Sequence, residues 1–333
     1  MSNEYAMKKE PCVDVKQDTP GVSVIVLTWN GIELIKECFH QIVETAKRWE
    51  MPHEIILVDN GSHDDTIAYV RRQWPAVSVI SLRKNIGFSR ANNIAAKQAR
   101  YEKLLFLNND LLLEEGFIAP LLEHLEDKAV FAVAPKMLRW DRKTVDDGLR
   151  YGQYFSGLFS VKLNADELQV NVPHWVTFFC GACFLCKKDL FFTLGGFDTI
   201  YTPYAWEDLD LAYRGWKRGY KIVYEPKAIC YHKREATTRN LFSNFFFVTL
   251  VWRNKFLFMW KNLTYGPFFI NHIMWLPWKL LKFLFSGRWR YVCGFFRALP
   301  YIPVIIWKRS IEKRKTVVND KDVLLQSYQI IGA

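Results

Sequence analysis

Acidic residues are nearly missing from positions 241–315, where Glu312 alone stands against thirteen Lys and Arg. The whole chain of 333 residues carries a formal +11, so the basicity belongs to this C-terminal segment and the remainder is close to neutral. A basic segment points to an anionic partner. Phe, Trp and Leu fill the intervals between these charges, which is too apolar for a solvated nucleic-acid groove, and no nucleic acid is expected as partner. The same segment has no run of 18 residues free of charges or helix breakers, so a membrane-spanning helix is not expected.

Other absences narrow the class. The first 20 residues, MSNEYAMKKEPCVDVKQDTP, lack an apolar run and read as a loose leader rather than a secretion signal. Cysteines number seven, an odd count, which suits a reducing cytoplasm and no disulfide framework. Cys180, Cys183 and Cys186 are evenly spaced, but FFCGACFLCKK is apolar and offers no fourth ligand nearby. They read as small buried hydrophobes. No repeat, no low-complexity tract and no Ser–His or Cys–His signature of covalent catalysis is present.

What the sequence does contain is alternation. VSVIVLT (22–28), EIILVD (54–59), VSVISL (77–82) and KLLFL (103–107) are apolar, β-branched runs of the kind buried on both faces of a sheet. Between them lie helical patterns at 32–49, at a start near Asp64 and Asp65, and at 85–99 with Ser89 as the expected cap. This order predicts an α/β fold with a mostly parallel central sheet flanked by helices. Beyond it come a helix (116–127), a strand (129–135) and a poorly readable stretch to 180. A strand, helix and Gly-Gly turn follow (180–198), then a loop and amphipathic helix (203–220) and a short strand (221–226).

Polar clusters close each early strand: Thr28-Trp29-Asn30, Asp59-Asn60-Gly61-Ser62, Asn85-Ile86-Gly87 and Asn108-Asn109-Asp110. Ligands of parallel sheets bind at the carboxyl ends of strands, so four such clusters in register predict a site rather than four turns. Asp59 is placed to accept the N3–H of a uracil or thymine ring, although Asp-Asn-Gly-Ser is also good turn chemistry. Asp110 is placed to hold a hard divalent cation, with Asn108 orienting a nucleotide or a bound water. In Trp206-Glu207-Asp208-Leu209-Asp210, Glu207 and Asp210 share a helix face while Asp208 points about 100° away, so the three acids cannot share one task.

Taken in order, VSVIVLTWNG (22–31), EIILVDNGSHDDT (54–66), NIGFSRANN (85–93), LLFLNND (104–110), GACFL (181–185), GGFD (195–198), WEDLDLAYRGWKRGYKIVYEP (206–226) and YH (231–232) resemble family 2 glycosyltransferases. The resemblance covers roughly 20–235, and the bacterial rhamnosyltransferase-like subgroup is the most similar. It implies an A-type fold and an inverting sugar transfer from a dTDP- or UDP-linked donor to a glycan hydroxyl in cell-surface polysaccharide synthesis. It implies a nucleotide site of Thr28, Asn30, Asp59, Asn60, Asn85, Gly87 and Asn108, and a divalent cation, Mg²⁺ or Mn²⁺, at Asp110 and His232. Asp208 is then the general base, with Gly181, Ala182, Trp206 and Glu207 on the acceptor side. Asn108 stands where the family motif has its first Asp, a variant common in this subgroup, where the last Asp suffices as metal ligand.

The expected organisation is a leader (1–20), the nucleotide-sugar-binding domain (21–236), a helical membrane-associating region (237–315) and a tail (316–333). Aromatic and basic residues together suit helices lying in a bilayer interface. The expected partners are a nucleotide-sugar donor, a polyprenyl-diphosphate-linked glycan acceptor and an anionic membrane surface. The expected location is peripheral, on the cytoplasmic face of the inner or plasma membrane. The competing readings are a C-terminal subdomain that packs on the core, and a non-catalytic nucleotide-sugar-binding scaffold protein. The second would be favoured had Asp110 or Asp208 been missing.

Overall fold

The computed structural model describes residues 19–233, 244–327 and 329–331. Four strands, β1 (Thr19–Thr28), β2 (His53–Asp59), β3 (Ser78–Ser81) and β4 (Tyr101–Asn108), form a parallel block in the order β3-β2-β1-β4. The pattern of alternate residues explains how both faces are buried. Val22, Val24 and Val26 pack with Ile35, Phe39 and Ile42 of the segment 32–47, while Ile25 packs on the other face with Ala91 and Ala95 of the helix Phe88–Gln98.

The expected helix over 32–49 forms from Ile32 to Lys47, with one wide turn over Ile35–Phe39. Ser89 is not a cap. The helix begins at Phe88, Gly87 occupies the cap position at φ 86°, and Ser89 is buried within the first turn. A non-glycine residue at 87 would be strained, and its Cβ would meet the Pro203 carbonyl oxygen at 2.9 Å.

The second half adds β5 (Leu111–Leu113), β6 (Val130–Arg139), β7 (Val145–Asp147), the hairpin β8 (Arg150–Phe155) and β9 (Leu158–Leu163), then β10 (His174–Trp175), β11 (Cys183–Lys187) and β12 (Lys221–His232). β11 lies antiparallel between β4 and β6, and β12 runs parallel to β6. The strand expected to stop at Pro226 continues to His232. The β6–β12 register breaks between Glu225 and Ile229, so the proline sits at an irregularity rather than in a regular ladder. That extension carries His232 to the edge where β4 ends.

The C-terminal region packs on the sheet domain. In the helix Asn244–Asn262, Arg253, Asn254, Lys261 and Asn262 are buried. Lys261 Nζ lies 2.7 Å from Asp198 Oδ2 and 2.8 Å from Asp210 Oδ1, and Asn262 donates to Asp210 Oδ1 at 2.7 Å. Helices Gly266–Phe285, Trp289–Ala298 and Ile302–Lys315 follow. They leave Trp278, Phe285, Phe296, Ile306 and Trp307 exposed. Among the described residues, no helix is long and apolar enough to cross a membrane.

Residues expected as a tail return to the core. The helix Asp320–Gln326 buries Asp320 against Tyr213 and Lys217, and β13 (Gln329–Ile330) pairs with β10 at the sheet edge. Of the expected leader, Thr19 and Pro20 open β1. Residues 1–18 and the expected boundary at 236–237 lie outside the described residues.

Candidate active site

Register alone gathers the early polar clusters. Thr28 faces Asp59 across β1–β2, and Leu27 faces Asn108 across β1–β4, so the three strand ends share one edge. Asp59 is fully buried. Its Oδ2 accepts the Ser62 N–H at 3.1 Å, and its Oδ1 has no hydrogen-bond partner among the described residues. A buried carboxylate oxygen without a donor is costly, so the position favours a ligand N–H. Asn60 and Asn85 hold the adjoining loops together: Asn60 Nδ2 donates to Asn85 Oδ1 at 3.1 Å, and Asn60 Oδ1 accepts from Ile86 N at 3.0 Å. Asn30, at φ 47°, accepts from His63 N and uses its own N–H on Ser62. Asn109, absent from the expected set, donates to Thr28 Oγ1 at 2.9 Å and leaves that hydroxyl its own proton to give.

At the next strand end, Asp110 and His232 meet. His232 Nε2 lies 3.3 Å from Asp110 Oδ2, and Nδ1 lies 2.7 Å from Asp146 Oδ2. Burial alone would lower the imidazole, but the two carboxylates overcome it and push it up to about 10. Asp110 Oδ1 is buried with no hydrogen-bond partner among the described residues. An open carboxylate oxygen beside an imidazole whose far nitrogen is oriented by a second carboxylate suits a hard divalent cation. Asp110 and His232 are the residues that would hold it. Among the described residues no three such side chains form a closed ligand set. Phosphate oxygens and water would complete the coordination.

On the other side, the Asn108 N–H bonds the Ala182 carbonyl at 2.9 Å, and the neighbouring Gly181 N–H bonds Asp208 Oδ2 at 2.9 Å. Asp208 Oδ1 accepts from Leu209 N at 2.8 Å, and Arg150 Nη1 lies 3.6 Å from Oδ2. Burial pushes the Asp208 carboxyl up, Arg150 and the two N–H groups pull it back, and the net effect is upward. A carboxylate so raised is suited to accept a proton.

The three acids divide as their helical positions predict. Asp210 is consumed by structure, bound by Tyr201, Arg214, Lys261 and Asn262. Glu207 is buried, its Oε2 is unpartnered among the described residues, and burial pushes it well up. Trp206 is buried against Phe258, with ring centroids 5.1 Å apart, and has φ 78°. Ala205 before it has φ 74°. Two consecutive left-handed non-glycine residues store strain beside Asp208, of a kind that clusters at functional sites. All four members of the expected acceptor-side group, Gly181, Ala182, Trp206 and Glu207, are buried.

Sequence reasoning missed Asp146, Asp147, Arg150 and Asn254. Asn254 Nδ2 lies within 3.0 Å of the carbonyls of Tyr201, Tyr204 and Ala205, so a C-terminal helix holds the loop that leads to Asp208. Val-Asp-Asp-Gly reads as a turn. Only the long-range pairing of Met137 with Asp147 and of β6 with β12 delivers these acids to the site.

This architecture, a parallel nucleotide-type sheet whose far half carries the acids and the imidazole, is the A-type glycosyltransferase fold. It is similar to the structure of GalNAc-T7 with UDP, GalNAc and Mn²⁺, with TM-score 0.56 and 18% identity over 75% of this chain and 49% of that one. It is also similar to the mannosyltransferase PcManGT from Pyrobaculum calidifontis with GDP-Man and Mn²⁺, with TM-score 0.52 and 21% identity over 89% of this chain and 79% of that one. Residues 23–195 match the model of glycosyl transferase family 2, and the chain belongs to that family. Among relatives, the poly-beta-1,6-N-acetyl-D-glucosamine synthase of Staphylococcus aureus is 24% identical over 68% of this chain and 53% of its own length. The O-antigen biosynthesis protein RfbC of Myxococcus xanthus is 26% identical over 66% of this chain and 18% of its own. This chain therefore spans about half the length of the staphylococcal relative.

Proposed function

We propose that the protein transfers a sugar from a UDP- or dTDP-linked donor to a hydroxyl of a lipid-linked glycan during cell-surface polysaccharide synthesis, with inversion at the anomeric carbon. The observation that supports this best is one sheet edge carrying the open Asp59 oxygen, the Asp110–His232 pair and the raised Asp208 carboxyl. Asp59 receives the base N3–H, and Thr28, Asn30, Asn60, Asn85, Gly87 and Asn108 line the nucleotide. Asp110 and His232 would hold a divalent cation, which would supply charge neutralisation for the leaving diphosphate. Asp208 takes the acceptor proton as that oxygen forms its bond to the anomeric carbon and the bond to the diphosphate oxygen breaks. One displacement suffices, so no second nucleophile is needed. Gly181, Ala182, Trp206 and Glu207 shape the acceptor side. The division into a domain at 21–236 and a membrane-associating region at 237–315 belongs to the same reading, with the exposed aromatics of 266–307 resting on the anionic cytoplasmic leaflet. The rhamnosyltransferase-like subgroup is the preferred guide to the donor.

The test is calorimetric titration with UDP and with dTDP, each with and without Mn²⁺. Metal-dependent binding of either nucleotide is expected, and silence in all four titrations would sink the donor site. Asp208→Asn is expected to abolish turnover while nucleotide affinity stays nearly unchanged; full activity in that variant would remove Asp208 from its role.

A further inference from the structure

The segment 145–150 touches both halves of the site, and beyond the orientation of His232 by Asp146 it has no part in the proposed transfer. Successive side chains leave a strand on opposite faces. In β7, Asp146 turns to His232 and Asp147 turns to Arg150. Arg150 is anchored by its backbone, because its carbonyl accepts the Thr177 N–H at 3.1 Å and its own N–H bonds the Gly148 carbonyl at 2.9 Å. Its guanidinium is ion-paired to Asp147 Oδ2 through Nη2 and reaches Asp208 Oδ2 through Nη1 at 3.6 Å. Asp147 is itself fixed, with Oδ1 accepting the Gly148 N–H at 2.8 Å. The turn beneath them requires glycine: Gly148 has φ 124°, and a Cβ there would meet the Pro135 carbonyl oxygen at 2.6 Å. The guanidinium is thus held from behind and pointed at the acid.

We propose that Arg150, braced by Asp147, is a positioning residue that keeps the Asp208 carboxylate charged and aimed. This rests on the reading of Asp208 as the proton acceptor. The groups that face Asp208 are Arg150, Asp147, Cys180 and Glu207. Burial and the like charge of Asp147 oppose its ionisation, and Glu207 adds a like charge if it ionises. The Cys180 thiol, pushed well up by its own burial, stays neutral. Among the described residues Arg150 is the cation that pairs with Asp208. At 3.6 Å it acts as a charge more than as a directed hydrogen bond. Asp147 fixes the guanidinium and also competes for it, so the two residues have opposite effects on the base.

The experiment is a carbon-13 titration of full-length protein labelled at the aspartate carboxyl, with the Asp208 signal assigned by its loss in Asp208→Asn. In Arg150→Gln the Asp208 midpoint is expected at least about one pH unit above wild type, since an opposite charge at this range lowers a carboxyl by about one to three. In Arg150→Lys it should lie between the two. In Asp147→Asn it should fall below wild type, because the competing acid is gone. An unchanged midpoint in a folded Arg150→Gln would reduce Arg150 to a strut and overturn the proposal. If that variant does not fold, Asp147→Asn decides, and a midpoint equal to wild type is equally fatal. The titration needs no substrate, so its failure is separable from that of the base assignment, which turnover by Asp208→Asn would expose.

Discussion

Asp59 and Asp110 each keep one buried oxygen without a donor among the described residues, and the proposed donor site rests on those two atoms. Asp59→Ala removes a charged acceptor, and a hydrogen bond to a charged group contributes about 1.5–3 kcal/mol. Nucleotide affinity should fall by about one to two orders of magnitude, read by calorimetry, with the fold intact by circular dichroism. Asp110→Asn should weaken Mn²⁺ dependence while leaving metal-free nucleotide binding in place. Both acids were legible in the sequence, because a β-branched run that breaks off into polar residues marks the carboxyl edge of a buried parallel strand. The residues that surround His232 and Asp208 were not. Asp146, Asp147 and Arg150 lie in a stretch without periodicity, and pairings between distant strands bring them in. Asn109 was passed over for its neighbours, since nothing local distinguishes which of two asparagines turns toward Thr28.

Strand and helix positions were legible wherever burial imposed a period, as in β1, β2 and β4. The failures fell at backbone exceptions. Pro226 suggested an end to β12, and the strand passes it through an irregular register. Ser89 suggested a cap, and Gly87 takes the position because Pro203 crowds it. The helix Asn244–Asn262 shows what one element does for another. Asn254→Ala leaves three carbonyls of the 201–205 loop without their donor. A loss of about 1–3 kcal/mol is expected in urea unfolding, and turnover should drop more than nucleotide binding, because the loop leads into Asp208. The Asp198 carboxyl beside it is opposed by burial, but Lys261 and Lys308 overcome that and hold it well below the ordinary range. Its folded pKa is depressed, so its stabilising contribution is complete above the unfolded value near ~3.9 and drains away as pH falls toward the folded one. Lys261→Met should shrink that acid-side loss while lowering stability at neutral pH by about 3–5 kcal/mol, measured as unfolding free energy against pH.

At the scale of the whole molecule, the C-terminal region presents two unlike faces. Its first helix buries polar residues in the core, and its later helices expose large aromatics. Deleting it would therefore unfold the protein and say nothing about membranes. Replacing Trp278, Phe285 and Trp307 together with serine spares the packed face. That variant is expected to lose co-sedimentation with anionic vesicles while keeping wild-type thermal stability and nucleotide affinity. Undiminished vesicle binding would refute the interfacial role.

The closing strand β13 has a consequence for how the chain is made. Thr177 and Ser327, 150 residues apart, share a buried hydrogen bond, and Ile330 pairs with His174. Contacts so distant along the chain form slowly and late. A nascent chain on the ribosome can assemble the parallel block early, but β10 has no outer neighbour until residue 330 has left the exit tunnel. Until then an unpaired sheet edge and the surface that receives Asp320 stand open, the kind of exposure that invites chaperones or self-association.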